Sequence, residues 1–347
     1  MAPETPPPSL RLTLDTHALE ANWRALDVLS GAASTGAAIK ADAYGLGARR
    51  VARVLQEAGC RDFFVAHWSE AADLLDVLPA ETIAVLHGPQ SPADAAFASQ
   101  ASLRPVINSL HQARIWQEAG GGTCDLMVNT GMGRLGLPLA DLADPVIAGL
   151  QVDVLHSHLA SADEAVPQNE QQRRRWLEAR GMVQHRRASL ANSAGIALGA
   201  AYHGDLTRPG IALYGGVPCA ALAGQIRQVA RPEAQVIQTR ELEVGDQVGY
   251  NATFTASAAM RVGVVSLGYA DGYLRCWSGK GAMRADGLRL PVLGRVSMDM
   301  TVIDLTQAPQ LGEGDWVALD YDLPAASKLS GLSQYELLTT LGRRFPR

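Results

Sequence analysis

Over the first two thirds of the chain, short apolar runs alternate with stretches of helical spacing. Leu10-Arg11-Leu12-Thr13-Leu14 has period two and predicts a strand. Asp15 then precedes residues 17–29, where Leu19, Trp23, Leu26 and Leu29 recur at helical intervals. The couple repeats down the chain. Apolar runs at 37–40, 63–66, 82–86, 105–108, 126–129 and 152–156 are followed by helical patterns at 48–58, 70–78, 92–99, 110–119, 139–148 and 168–182. Serine- and glycine-bearing segments at 188–193 and 206–213 complete the series. Repeated strand-then-helix units predict a parallel sheet. About eight of them in roughly 200 residues favour a closed (β/α)8 TIM barrel over an open doubly wound sheet, and no G-x-G-x-x-G follows the first strand.

Past about residue 225 the pattern changes. Segments 236–239, 247–254, 261–267, 288–293, 300–305 and 315–318 are short, β-rich and punctuated by Gly, Pro and Asp, and helical spacing returns only weakly at 333–341. The expected architecture is an α/β barrel domain over residues 1–225 and a mainly β domain over 226–347. The strand near 10–14 is free to pair in either.

A chain of 347 residues with 47% apolar content has the material for two such cores. The net charge of −5 and the lack of a basic cluster with interleaved aromatics exclude a nucleic-acid partner. The longest basic run, Arg173 to Arg175, lies in a helical stretch and reads as a solvated helix face. Cys60, Cys124, Cys219 and Cys276 are far apart with no C-x-x-C pair, so neither a metal site nor a disulfide framework is expected. With no apolar leader in MAPETPPPSL and no apolar run near the ~18 residues of a membrane span, the expectation is a cytoplasmic protein without a membrane contact.

In a barrel, chemistry gathers at the C-terminal ends of the strands. The polar residues there are Lys40, Asn129 to Arg134, His156 and His158, Asn192 and Ser193, and Arg208. Each has a plain reading as well. Lys40 closes an apolar run and is either a lysine snorkelling from a strand end or, with Tyr44, Gly45 and Gly47 just after it, a nucleophilic amine beside a phosphate seat. Arg208 is either an ion-pair partner of Asp205 or a guanidinium aimed at a ligand, with Gly210 and Ile211 offering backbone N–H groups. Asn192-Ser193 is either an ordinary helix cap or part of the same seat. His158 alone does not distinguish structure from catalysis. No H-E-x-x-H, G-x-S-x-G or P-loop motif is present.

Taken in order, these segments resemble the alanine racemases, barrel-type pyridoxal-phosphate enzymes. The matching stretches are Ile39-Lys40-Ala41-Asp42-Ala43-Tyr44-Gly45, Thr130-Gly131-Met132-Gly133-Arg134-Leu135-Gly136, His156-Ser157-His158-Leu159-Ala160 and Ala191-Asn192-Ser193-Ala194. Arg208-Pro209-Gly210-Ile211-Ala212-Leu213-Tyr214-Gly215, Gly249-Tyr250-Asn251-Ala252-Thr253, Gly268-Tyr269-Ala270-Asp271-Gly272 and Gly294-Arg295-Val296-Ser297-Met298-Asp299 continue the series. They span nearly the whole chain; each is weak alone, and the set is specific.

The resemblance implies that Lys40 holds pyridoxal 5'-phosphate covalently and acts as one base, with Tyr250 as the other. It implies a cofactor seat from Tyr44, Asn192, Ser193, Gly210, Ile211 and Tyr214, and Arg208 facing the pyridine nitrogen. His158 would lie between Tyr250 and Arg208, and Arg134, Met298 and Tyr269 would face the substrate. In the family the tyrosine and methionine come from a second subunit, so a homodimer with shared sites is implied, interconverting L- and D-alanine and supplying D-alanine for peptidoglycan. Rivals are a broad-specificity racemase on the same scaffold and a non-catalytic pyridoxal-phosphate carrier. Tyr250 and the β-rich last third argue against the carrier.

Two departures stand out. Many family members carry a lysine carbamate two residues before an aspartate ahead of Thr-Gly-Met, where this chain has Met127 and Asn129. Both changes remove negative charge near Arg134, so Asn129 or a bound anion such as chloride is expected to orient it. Some relatives have a phosphate-holding tyrosine where this chain has Arg343, which either substitutes electrostatically or is a solvated arginine.

Overall fold

The computed structural model describes residues 6–342, 344 and 345; Arg343 lies outside the described residues. The chain divides into two compact units. One is Thr16–Arg227, and the other joins the residues up to Asp15 with those from Gln228 onward. The first strand, β1 (Leu10–Leu14), belongs with the second unit, where it pairs antiparallel with a late strand.

The first unit is a parallel barrel. Its strands are β2 (Ser34–Thr35), β3 (Ala37–Ala38), β4 (Phe63–Val65), β5 (Ile83–Val85), β6 (Arg104–Ile107), β7 (Thr123–Met127), β8 (Gln151–His156), β9 (His185–Ser189) and β10 (Leu206–Thr207). From β3 to β9 each strand pairs with its sequence neighbour in parallel register. The ring closes through β10. It pairs in parallel with β2, Ala38 N donates to Pro209 O at 2.9 Å, and on the other side Arg208 N donates to Ala191 O at 2.9 Å. Strands enclosed on both faces need apolar runs rather than alternation, and Phe63-Phe64-Val65 and Ile83-Ala84-Val85 are buried throughout. The surrounding helices keep one apolar stripe: Ala48–Ala58 buries Val51, Ala52 and Leu55 and leaves its arginines outward.

One expected helix is divided. Residues 139–148 form a 3-10 turn, Leu139–Ala143, and a one-turn helix, Pro145–Ala148. Proline keeps the preceding residue out of the helical region, and Asp144 caps the new start by accepting from Val146 N.

At the opposite end of the barrel from Lys40 lies a charged layer absent from the sequence-based reading. Arg104, 7% exposed, opens β6. Its guanidinium reaches Asp62 at 3.1 Å, Asp153 at 3.2 Å and Asp125 at 3.4 Å. Arg187 pairs with Asp62 and Asp153 at 2.8 Å. With Arg186 on Asp153, three guanidiniums balance three carboxylates, which is the condition under which buried charge is tolerated.

The second unit is antiparallel. Its strands are β11 (Ala230–Leu242), β12 (Gln247–Val248), β13 (Phe254–Thr255), β14 (Met260–Val265), β15 (Ala282–Ala285), β16 (Leu288–Leu293), β17 (Thr301–Asp304) and β18 (Trp316–Leu319). The main sheet runs β1-β11-β14-β17-β16-β15-β18 and closes because β18 also pairs with β11. Along β11, Ala230, Pro232, Ala234 and Val236 are buried and their neighbours are not, the alternation of a one-sided sheet. Strand β15 and the helix Leu323–Ser330 had no clear periodicity in the sequence. No described helix is long and apolar enough to cross a membrane.

Candidate active site

Lys40 leaves the end of β3 directly into unusual backbone. Ala41, Asp42, Ala43 and Tyr44 all adopt left-handed helical angles, with φ of 53°, 53°, 53° and 57°. Each such non-glycine residue costs roughly 1–2 kcal/mol, so the turn persists only because its surroundings over-determine it. Ala43 N donates to Ile39 O at 2.9 Å and Gly47 N to Asp42 O at 3.0 Å. Asp42 Oδ1 accepts from Ala48 N at 2.7 Å. Glu70 contributes most from outside: its carboxylate accepts from Ala41 N at 2.6 Å and from Ala66 N at 2.6 Å, tying the turn to the end of β4. Glu70 carried no signal in the sequence beyond a helix start.

The turn buries Tyr44 and leaves Lys40 half-buried. Burial, with Arg134 adding to it and Glu70 opposing, lowers the Lys40 amine from its ordinary value. A larger fraction of free amine, the nucleophilic form, is the result.

Across the ring closure, Ser193 Oγ accepts from Gly210 N at 2.9 Å and from Ala212 N at 3.3 Å, joining the segments after β9 and β10. With Tyr44 where it is, glycine at 210 leaves room for its hydroxyl: a Cβ there would collide with Tyr44 Oη. Tyr44 and Tyr214 rings lie 4.8 Å apart, and the fully buried Tyr214 hydroxyl donates to Ala38 O at 2.8 Å. Tyr214 therefore buttresses the seat. Asn192 takes the plainer of its two readings: its side chain accepts from Gly195 N at 2.9 Å as a helix cap.

Arg208 is 6% exposed. It is not tied to Asp205 by any interaction shown among the described residues. Its Nη2 donates to Ser157 O at 2.6 Å and its Nη1 to Ser189 Oγ. Burial lowers it to about 10, so it stays protonated at neutral pH. Its charge and burial push His158 down to about 3, burial being the larger cause, and His158 is a neutral imidazole. Behind them His156 Nε2 meets Asp125 Oδ2 at 3.0 Å, linking the site to the charged layer. The signal available in the sequence was one aspartate inside each of two largely apolar strands, Asp125 in β7 and Asp153 in β8.

Asn129 Oδ1 accepts from Gly131 N and Gly133 N at 3.0 Å each, shaping the loop that ends in the exposed Arg134. Met127 is buried in β7. No carboxylate among the described residues pairs with Arg134.

The remaining expected residues are in the other unit. Tyr250 is 60% exposed and Met298 is 53% exposed. Tyr250 sits in a strained loop, with Gly249 at φ 73°, Asn251 at 62° and Ala252 at 45°. Tyr269 opens a 3-10 turn, Tyr269–Asp271, whose N–H groups reach the Met298 loop: Tyr269 N donates to Ser297 O and Ala270 N to Met298 O, both at 3.0 Å.

An amine and a buried guanidinium at the strand ends of a parallel barrel, in a chain with a separate antiparallel β unit, define a class of two-domain barrel protein. Comparison with known proteins specifies it further. Residues 14–218 match the model of the alanine racemase N-terminal domain and residues 229–347 that of the C-terminal domain. The chain is 43% identical to an alanine racemase of Methylobacterium nodulans, covering 97% of this chain and 95% of the relative. It is 41% identical to the biosynthetic alanine racemase of Agrobacterium fabrum, covering 97% and 93%. The crystal structure of alanine racemase from Bartonella henselae with covalently bound pyridoxal phosphate superposes with a TM-score of 0.90 at 35% identity, over 98% of this chain and 99% of that one. The chain belongs to the alanine racemase family.

Proposed function

We propose that this chain is a pyridoxal-phosphate-dependent alanine racemase that moves a proton on and off the substrate Cα with Lys40 on one face and Tyr250 on the other. The observation that carries the reading is the pairing of a half-buried amine lowered from its ordinary pKa with a buried guanidinium held by Ser157 and Ser189.

The residues present suit pyridoxal phosphate. Gly210 leaves room where a Cβ would strike the Tyr44 hydroxyl, and Ser193 holds the Gly210–Ala212 backbone in place, so Tyr44, Ser193, Gly210 and Ile211 would hold the phosphate. Tyr214 and Asn192 support that seat from behind. When bound, the cofactor withdraws electrons from the substrate Cα–H bond. Arg208 would serve the ring-nitrogen side of the cofactor; because a guanidinium keeps its own proton it would supply none to that nitrogen, which would favour proton exchange over other outcomes. Lys40 would take or return the proton of D-alanine, and Tyr250 that of L-alanine. His158, neutral and beside Arg208, is suited to relay charge to the Tyr250 phenol.

Arg134 would bind the substrate carboxylate side, helped by Met298 and Tyr269. Met127 cannot carry a carbamate, so Asn129, or chloride beside Arg134, takes over its placement. Two copies would share sites, each offering its exposed Tyr250 and Met298 to the other. The enzyme would act in the cytoplasm and supply D-alanine for peptidoglycan. The loss of acidic groups at Met127 and Asn129 also favours a second reading, a racemase of wider range.

The direct test is to incubate the chain with pyridoxal phosphate and L-alanine in deuterium oxide. Loss of optical rotation with deuterium at Cα of both enantiomers is expected. Unchanged rotation would refute the reading, and faster turnover of L-serine or L-lysine than of L-alanine would favour the wider racemase.

A further inference from the structure

Arg344 makes three charged hydrogen bonds to two aspartates of the β unit. Its Nε donates to Asp271 Oδ1 at 2.6 Å and its Nη2 to Asp271 Oδ2 at 2.9 Å. Its Nη1 donates to Asp299 Oδ1 at 2.8 Å. Asp271 is 1% exposed, and its Oδ2 also accepts from Gly268 N at 3.0 Å. A bidentate guanidinium on a buried carboxylate is among the stronger and more directional polar contacts in proteins.

The geometry places this fork behind the two residues read as facing substrate. Asp271 ends the turn that begins with Tyr269, and Asp299 follows Met298 directly. Met298 is more than half exposed and has little packing to fix it. The approach is also close: Gly342 N donates to Asp271 O at 3.0 Å, and a Cβ at Gly342 would come 2.7 Å from Ala270 O. A single side chain thus spans both loops and joins them where the Tyr269 and Ala270 amides already bridge them.

We propose that Arg344 is a positioning residue that holds the Tyr269 turn and the Met298–Asp299 loop at the separation the amino-acid substrate requires. This rests on the reading of Tyr269 and Met298 as substrate-facing. Arginine is needed because lysine, a single point charge, cannot hold Asp271 in a fork and reach Asp299 together.

The test uses the cofactor-loaded protein with Arg344→Ala, Arg344→Lys and Asp299→Asn. Arg344→Ala is expected to raise KM for both alanine enantiomers about ten-fold with a smaller change in kcat, as for the loss of a charged hydrogen-bond set. Arg344→Lys should fall between it and wild type. Asp299→Asn keeps the Asp271 fork and should raise KM about three-fold, so it remains informative if Arg344→Ala does not fold. Without substrate, the Tyr269 and Ala270 amides should exchange with deuterium about ten-fold faster in Arg344→Lys, with the barrel unchanged. Unaltered exchange there would overturn the proposal, as would faster exchange with unaltered KM. A wild type inert toward alanine would instead sink the functional reading, which the substrate-free exchange arm does not depend on.

Discussion

The barrel mouth and the Tyr250 loop bring functional groups forward in opposite ways. At the barrel mouth the groups are built in. Arg208 is buried and held by two serines, Ser193 fastens the backbone of the next segment, and the left-handed turn after Lys40 is pinned by Glu70. In the β unit, Tyr250 and Met298 are over half exposed, and the two residues after Tyr250, Asn251 and Ala252, are both held at positive φ. One region keeps its geometry through its own contacts. The other carries large apolar groups in water, a cost that favours an occupant. A preorganised half and an unfinished half is the expected division if sites are shared between copies.

Substitutions that separate the two halves test this most strongly. On the proposed roles Lys40→Ala deletes both the anchor and a base, so it should remove covalent cofactor linkage and lower racemisation by about 10⁴-fold or more. Tyr250→Phe should keep the linkage and its absorbance, and cost about 10²–10⁴-fold as the loss of one acid–base group. Because Tyr250 is so exposed, its substitution should leave stability within about 0.5 kcal/mol. The two should differ in direction as well. With Tyr250→Phe, deuterium should still wash into D-alanine through Lys40 while entry into L-alanine falls. Normal racemisation by Tyr250→Phe would break the two-base assignment.

The next effect falls on the barrel alone. Arg104→Ala leaves Asp62, Asp125 and Asp153 facing one another with less positive charge among them. Removing one partner of a buried ion cluster typically costs about 3–5 kcal/mol. The barrel's denaturant midpoint should fall accordingly while the β unit's transition, followed separately, stays put. A shift below about 1 kcal/mol would mean that the remaining charges rearrange or admit water.

The barrel was legible from the sequence because its signal is repetitive: apolar runs and helical stripes alternate with a constant beat, and helix 48–58 lies where its spacing predicts. Lys40, Ser193 and Arg208 were legible because strand ends are predictable places. The left-handed turn was not, since Ala41, Asp42 and Ala43 have no preference for positive φ and adopt it under tertiary constraint. The Arg104 layer was hidden for a similar reason. Its members are 91 residues apart between Asp62 and Asp153, and only closure of the ring makes them neighbours. In the β unit, β15 had no alternating pattern to find, and Arg344 gave no sign that two distant aspartates would converge on it.

The smallest effect probes the link between the charged layer and the mouth. His156 is fully buried, with Asp125 on Nε2 and Phe64 against its ring at 5.7 Å. Burial pushes it down to about 4, with Asp125 opposing and Arg208 and Arg104 adding to the shift. An imidazole that titrates near 6.5 in the unfolded chain but resists protonation when folded makes the unfolded state bind more protons below pH 6.5. Its stabilising contribution is therefore complete above pH 6.5 and is lost as pH falls toward 4, at up to about 1.4 kcal/mol per pH unit. His158, pushed to about 3, adds a second proton over the same range, whereas Asp153, held down to about 2 by its arginines, acts only below it. His156→Gln retains a hydrogen-bond donor for Asp125 and removes one of these titrations, leaving those of His158 and of His87, which burial also lowers. The slope of unfolding free energy between pH 6 and pH 4.5 should drop by up to about 1.4 kcal/mol per pH unit, one proton's worth, relative to wild type. An unchanged slope would show that His156 is already protonated in the folded barrel, and would then place a cation beside Arg208 where the neutral-imidazole account of the mouth allows none.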